Sequence, residues 1–263
     1  MKNMKIEMVE LNKLMFKPIE FFHRIFSIIP GLYFGFLYFL IFGVSISMGF
    51  LFQISEDPSF SVFTHWISHL SVGCEMSRIC FIVGLCLGSP FNLIFQNFLL
   101  NDFFDKSENP ILPLILSGAV LMQSIGLFFA GIIPLNFPIL HGFAANLFFF
   151  GALIYFSGLF LLITKSKRDS YYGIFFSGLC MITISLFIFA GIFNTLTRSC
   201  FPFGLNYFLE WLTIISHLTG NIFIGLGFLN SKKQKERVFS DKKDLVKEDI
   251  TVLPKEIVLI RKN

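Results

Sequence analysis

From Asn109 to Thr164 the chain runs for 56 residues without one Asp, Glu, Lys or Arg. A helix needs about 20 apolar residues to cross the hydrocarbon core of a bilayer, so this stretch holds two crossings. The segment Ile133-Pro134-Leu135-Asn136-Phe137-Pro138 supplies the reversal between them, because proline breaks helices and favours turns. Composition places the whole chain in the same class. Charged residues make up 14% and hydrophobic residues 54%, with 38 Phe, whereas soluble domains carry about a quarter charged residues.

The same reading gives six spans, near 31–54, 79–100, 111–133, 139–163, 171–196 and 207–229. Each is expected to be helical, since a spanning backbone has no water to satisfy its amides and carbonyls. The runs are continuously apolar and do not alternate, which gives no support to a β-barrel. The expected fold is therefore all-α: a polytopic bundle of six transmembrane helices over 30–230. It is preceded by a segment 1–29 and followed by a charged tail, 231–263. Nineteen of the 21 Lys and Arg fall on one side of this topology, Arg78 and Arg198 alone on the other. The positive-inside rule then puts both termini in the cytoplasm. Residues 5–29 lack the short apolar run and cleavage site of a signal peptide, and Met8, Leu11, Met15, Phe22 and Phe26 share a face that suits an interfacial helix. The tail, with ten basic and six acidic residues, reads as disordered. Its Lys232–Arg237 run can touch anionic headgroups or act as a topology anchor. The net charge of +4 is explained by topology and gives no argument for nucleic acid.

Polar chemistry gathers on the lysine-poor side. His65, His69, His141 and His217 lie there with Glu75, Arg78, Arg198 and Glu210. Glu210, Thr213, His217 and Asn221 follow spacings of three, four and four, so they share one face of the last span. Ionisable groups within a span cost several kcal/mol unless they face the bundle interior or a wet cavity. That face should meet partners, either as a structural network or as a ligand site. In the first loop, a helix would project His65 and His69 from one side, at a spacing able to share a metal; two interfacial histidines bonded to water, backbone or lipid are the plainer reading. Gly118, Gln123, Ser124 and Gly126 in the third span suit close packing, and Gln123 can also line a cavity wall. Cys74 and Cys200 fall on the side where a disulfide is chemically possible. The sequence contains no HExxH, GxSxG, phosphate-binding glycine loop or CxxC. The spans carry no Asp and one Glu, which argues against an ion-coupled relay.

Three patches resemble the DRAM/FRAG family of six-span membrane proteins and its prokaryotic relatives. They are Ile67-Ser68-His69-Leu70 with Glu75, then Gly131-Ile132-Ile133-Pro134 followed by His141-Gly142-Phe143-Ala144-Ala145-Asn146-Leu147-Phe148, and finally Glu210-Trp211. The resemblance implies roles for Ser68, Glu75, His141, Glu210 and Trp211. The chain departs from the family pattern at His69, Ser71 and Cys74. Eukaryotic members of the family are associated with autophagy, lysosomes and lipid remodelling, so the resemblance implies a lipid connection more than a reaction.

The leading expectation is a non-catalytic protein that recognises membrane lipid or a lipid-linked molecule without a cofactor. His141, Glu210 and His217 would form the pocket wall, with Ser68 also in the pocket and His65, His69 and Glu75 as a lid over it. Arg78 and Arg198 would hold an anionic headgroup or pair with Glu210 and Glu75. The alternative is a zinc-dependent lipid hydrolase or transferase, with His65, His69 and His141 or His217 as ligands and Glu210 or Glu75 as base. A small transporter is the third.

Overall fold

The computed structural model describes residues 25–26, 28–104, 111–165, 171–197 and 204–252. All six expected spans are helices long and apolar enough to cross a membrane, and no strand occurs among the described residues. We number them α1 (Gly31–Glu56), α2 (Glu75–Phe104), α3 (Ile111–Ile132), α4 (Pro138–Lys165), α5 (Tyr171–Thr197) and α6 (Leu205–Val252). Neighbours in sequence pack side by side, and α6 closes the ring against α1 and α2. Large apolar side chains such as Ile139, Phe143, Tyr171 and Phe189 face outward along the bundle. A hydrocarbon surround satisfies that surface and water does not, as expected of a multi-pass membrane protein.

Local sequence explains the closest approaches. A Cβ added at Gly126 would lie 2.7 Å from the Ala144 carbonyl, and one at Gly151 would lie 2.8 Å from that of Ala119. Glycine at both positions lets α3 and α4 meet backbone to backbone, the membrane form of small-residue packing. Gly118 plays no such part, since a Cβ there would meet nothing within 4 Å. In α1 the stretch Phe39–Val44 is a π turn. Buried Tyr38, Phe42 and Ile46 recur every four residues, a spacing that drifts around a regular α-helix. The wider turn keeps them facing inward.

The interior has three levels. Toward the end that carries the first loop, Phe42, Leu70, Phe81, Phe148 and Trp211 belong to one apolar cluster. Toward the end from which the charged tail leaves, Phe95, Leu100, Leu159, Ile163 and Phe228 belong to another. Buried polar residues lie between them: Ser89, Asn92 and Gln96 on α2, Gln123 and Ser124 on α3, and Ser216, His217 and Asn221 on α6.

Three sequence expectations change. The helix of α2 begins at Glu75, so Glu75 and Arg78 stand on its first turn, not in the loop; a carboxylate there favours the positive end of the helix dipole. The loop is not α-helical across both histidines. Only Ile67–Ser71 coils, as a 3₁₀ turn, and His65 precedes it. Third, α6 continues past its apolar stretch to Val252, so the charged segment expected to be disordered is helical that far. No Gly or Pro interrupts the chain from Asn230 until Pro254, and its Lys, Arg, Glu and Leu residues are good helix formers. Arg198, Cys200 and most of the expected interfacial helix lie outside the described residues.

Candidate functional site: a clamped loop above a polar layer

Aromatic stacking and hydrogen bonds bind the first loop to the beginning of α6. Phe63 stacks on Phe208 with centroids 5.2 Å apart, and Trp66 packs edge-on to Tyr207 at 4.6 Å. Trp211 donates from Nε1 to the His65 carbonyl (2.9 Å). Glu210, buried to 6% exposure, accepts the Ile67 amide on Oε2 (2.8 Å). Ile67 opens the 3₁₀ turn, so the carboxylate satisfies an amide that the turn leaves unpaired. Gly204 adopts φ 67°, the left-handed region that favours glycine, and a Cβ there would collide with the Phe63 carbonyl. The loop is also tied to the α3–α4 turn. Ser71 donates from Oγ to the Ser68 carbonyl (2.7 Å) and accepts the Leu135 amide (3.0 Å).

The histidines that sequence places together have separate surroundings. In the loop, the rings of His65 and His69 stand at right angles, 5.4 Å apart. His69 accepts the Trp66 amide on Nδ1 (2.9 Å), which fixes its proton on Nε2 while the ring is neutral. His65 Nδ1 contacts Thr64 Oγ1 at 2.8 Å. Burial, and then the neighbouring His65, holds the pKa of His69 below the usual histidine value. Among the described residues no group of three or more His, Cys, Asp and Glu is placed to hold a metal ion. His141 is buried and donates from Nδ1 to the Ile133 carbonyl (2.6 Å), fastening α4 to the turn that precedes it.

His217 lies deeper, fully buried, among the rings of Tyr38, Phe148 and Phe156. Its Nδ1 is 3.1 Å from the Tyr38 hydroxyl and its Nε2 is 3.5 Å from Gln96 Nε2. Gln96 also donates to Asn221 Oδ1 (3.2 Å), whose amide returns to the His217 carbonyl (2.9 Å). This network joins α1, α2 and α6. His141, Glu210 and His217 therefore make no hydrogen bond or ring contact with one another. Glu75 and Arg78 are exposed and pair with no described residue.

Between the clamp and His217 lies a small apolar cavity of about 40 Å³. Ile67 lines it with Phe42, Leu85, Ala145, Phe149 and Ile214. Phe148 lines it too and also packs on His217, so a single side chain bridges the cavity and the polar layer.

That layer has spare hydrogen-bonding capacity. Ser89 donates to the Ser124 carbonyl (2.7 Å) and Asn92 to Ser124 Oγ (3.4 Å). Asn92 Oδ1, Gln96 Oε1, the Tyr155 hydroxyl and both ends of the Gln123 amide have no partner. Each such group costs about 1–3 kcal/mol when left unmade. Sequence reasoning missed the α2 half of this layer. Its signal was present: Ser89, Asn92 and Gln96 fall at i, i+3 and i+7, one helical face, in an otherwise apolar span.

Compared with known proteins, the chain matches no family model, no curated protein and no solved structure.

Proposed function

We propose that this multi-pass membrane protein binds lipid or a lipid-linked molecule beneath the first loop, as a recognition protein of the DRAM/FRAG type and not as an enzyme. The observation that carries the reading is the double role of Ile67. Its amide is held by buried Glu210, and the residue itself lines the apolar cavity. Releasing that one hydrogen bond would open the cavity toward the loop. So small an apolar lining suits only a short hydrocarbon group, while the polar part of the ligand would meet His65, His69, Ser68 and Glu210. Lysine bias puts the loop outside and both termini in the cytoplasm, with Arg78 available to an anionic headgroup.

The test is lipid retention by the purified chain, together with thermal stabilisation on adding lipid back. Ala145→Leu should fill the cavity and reduce both while leaving helix content unchanged. Glu210→Ala should change both more than Glu210→Gln, which keeps an acceptor for the Ile67 amide. The reading fails if all three variants fold and respond to lipid as the parent chain does.

A further inference from the structure

An apolar groove opens at the opposite end of the bundle, apart from the loop. A groove of about 280 Å³ runs between α1 and α6, lined by Leu32, Tyr33, Phe36, Phe95, Ile222 and Leu226. Its floor is deep because a glycine on each wall gives way to Phe95. A Cβ on Gly35 would lie 2.6 Å from Phe95 Cδ2, and one on Gly225 would lie 3.0 Å from Phe95 Cζ. The rims are open: Tyr33 is 62% exposed, Phe36 59% and Leu226 46%. In a membrane this is a hydrocarbon-lined slot that opens sideways to lipid.

What lies along the same helix gives the slot a polarity. The backbone of α6 continues unbroken to Val252. Lys233 and Arg237 stand seven and eleven residues beyond Leu226, which returns each to the Leu226 face, about 10 and 16 Å farther along the axis. Lys232 and Lys235 adjoin them, with Glu236 the run's one acid. The apolar slot thus leads along one helix to a basic stretch just past the end of its apolar span. We infer that the α1–α6 groove holds an acyl chain of an anionic phospholipid whose headgroup meets the Lys232–Arg237 run. A topology anchor alone needs the charges but not the groove, and nonselective lipid solvation needs neither.

Native mass spectrometry of the full chain, given equal phosphatidylglycerol and phosphatidylcholine with the same acyl chains, tests it. The anionic lipid should be retained about fivefold or more over the zwitterionic one, the scale of one basic residue at a membrane surface. Lys233→Gln with Arg237→Gln should bring that ratio toward one. Ile222→Trp should fill the slot and lower retention of both lipids, and Ile139→Ala, on the outward surface away from both the groove and the loop, should leave the ratio unchanged. Equal retention by the parent chain overturns the inference, as does a preference that survives both the charge and the groove variants. So does a dimer broken by Ile222→Trp with lipid retention unaltered, which would make the groove a seat for a second helix.

Discussion

The loop clamp and the mid-bundle layer use similar polar residues in opposite ways. At the clamp each polar group has a definite partner: Glu210 with the Ile67 amide, Trp211 with the His65 carbonyl, Ser71 with Ser68 and Leu135. In the layer, pairing is incomplete, and Gln123 is buried with both ends of its amide unbonded. Two further orphan oxygens, on Asn194 and Asn206, flank the α5–α6 connection. The difference separates holding from capacity. The clamp fixes one arrangement of the loop over the bundle, whereas the layer retains hydrogen-bonding valence that the protein itself does not use.

The largest effect should come where the layer is paired. His217→Leu removes the partner of both the Tyr38 hydroxyl and the Gln96 amide, in a site too buried for water to replace it freely. A loss of about 3 kcal/mol is expected, chiefly from the stranded Tyr38 hydroxyl at about 1–3 kcal/mol, since Gln96 keeps its bond to Asn221, read as a lowered midpoint of thermal unfolding in detergent. A loss no greater than that of an exposed control such as Tyr171→Leu would show that the network contributes nothing.

Next comes the clamp. Glu210→Ala should cost about 2 kcal/mol, within the range for leaving the buried Ile67 amide without an acceptor, and should open the loop to cleavage by chymotrypsin near Phe60 and Phe63. Glu210→Gln should lose less than half as much. Equal losses in the two variants would mean that the acceptor for the Ile67 amide is not what holds the loop.

Two glutamines in one layer then probe the comparison itself. Gln96 donates to Asn221, so Gln96→Met should destabilise by about 1 kcal/mol. Gln123 has nothing to lose, so Gln123→Met should fall within about 1 kcal/mol of the parent, on the stabilising side, as expected when an unpaired polar group is replaced by an apolar one of similar volume. If Gln123→Met costs more than Gln96→Met, the orphan amide is in fact bonded through ordered water, and the layer belongs with the clamp.

How much of this the sequence carried follows from what each kind of signal measures. The spans were legible because twenty apolar residues are a local property, satisfied the same way in any bundle. That Glu210 and His217 must face inward was legible too, from the cost of exposing them to hydrocarbon. Their partners were not. Glu210 bonds a backbone amide 143 residues away, and every residue type but proline supplies one, so no pattern marks Ile67. His141 was placed in the same pocket as Glu210 because both lie near one end of a span. Its bond to the Ile133 carbonyl is again to backbone, and invisible to residue type. The loop misled for a different reason. His65 and His69 are four apart, but Ile67–Ser71 coils only as a 3₁₀ turn, so the helical spacing that would put both rings on one face does not hold.

The smallest effect expected is a pH dependence of the clamp, and its sign follows from His69. Burial and the nearby His65 lower its pKa in the folded chain, and protonating the ring fills the lone pair that accepts the Trp66 amide. The unfolded chain, with a histidine pKa near 6.5, therefore takes up a proton before the folded chain does. The stabilisation is fully present above that value and is lost as pH falls from it through the lowered folded pKa. Asp57, held below the usual carboxylate range by the Ser59 hydroxyl and amide, stays ionised over this window and does not obscure it. Chymotrypsin cleavage of the loop, normalised at each pH to that of an unfolded substrate, should accordingly quicken from about pH 7.5 to pH 5.5, and His69→Gln should flatten the change while His217→Leu leaves it in place. A pH response that survives in His69→Gln would show that His69 is not the titrating group. The tightly paired clamp and the pH response would then belong to different side chains.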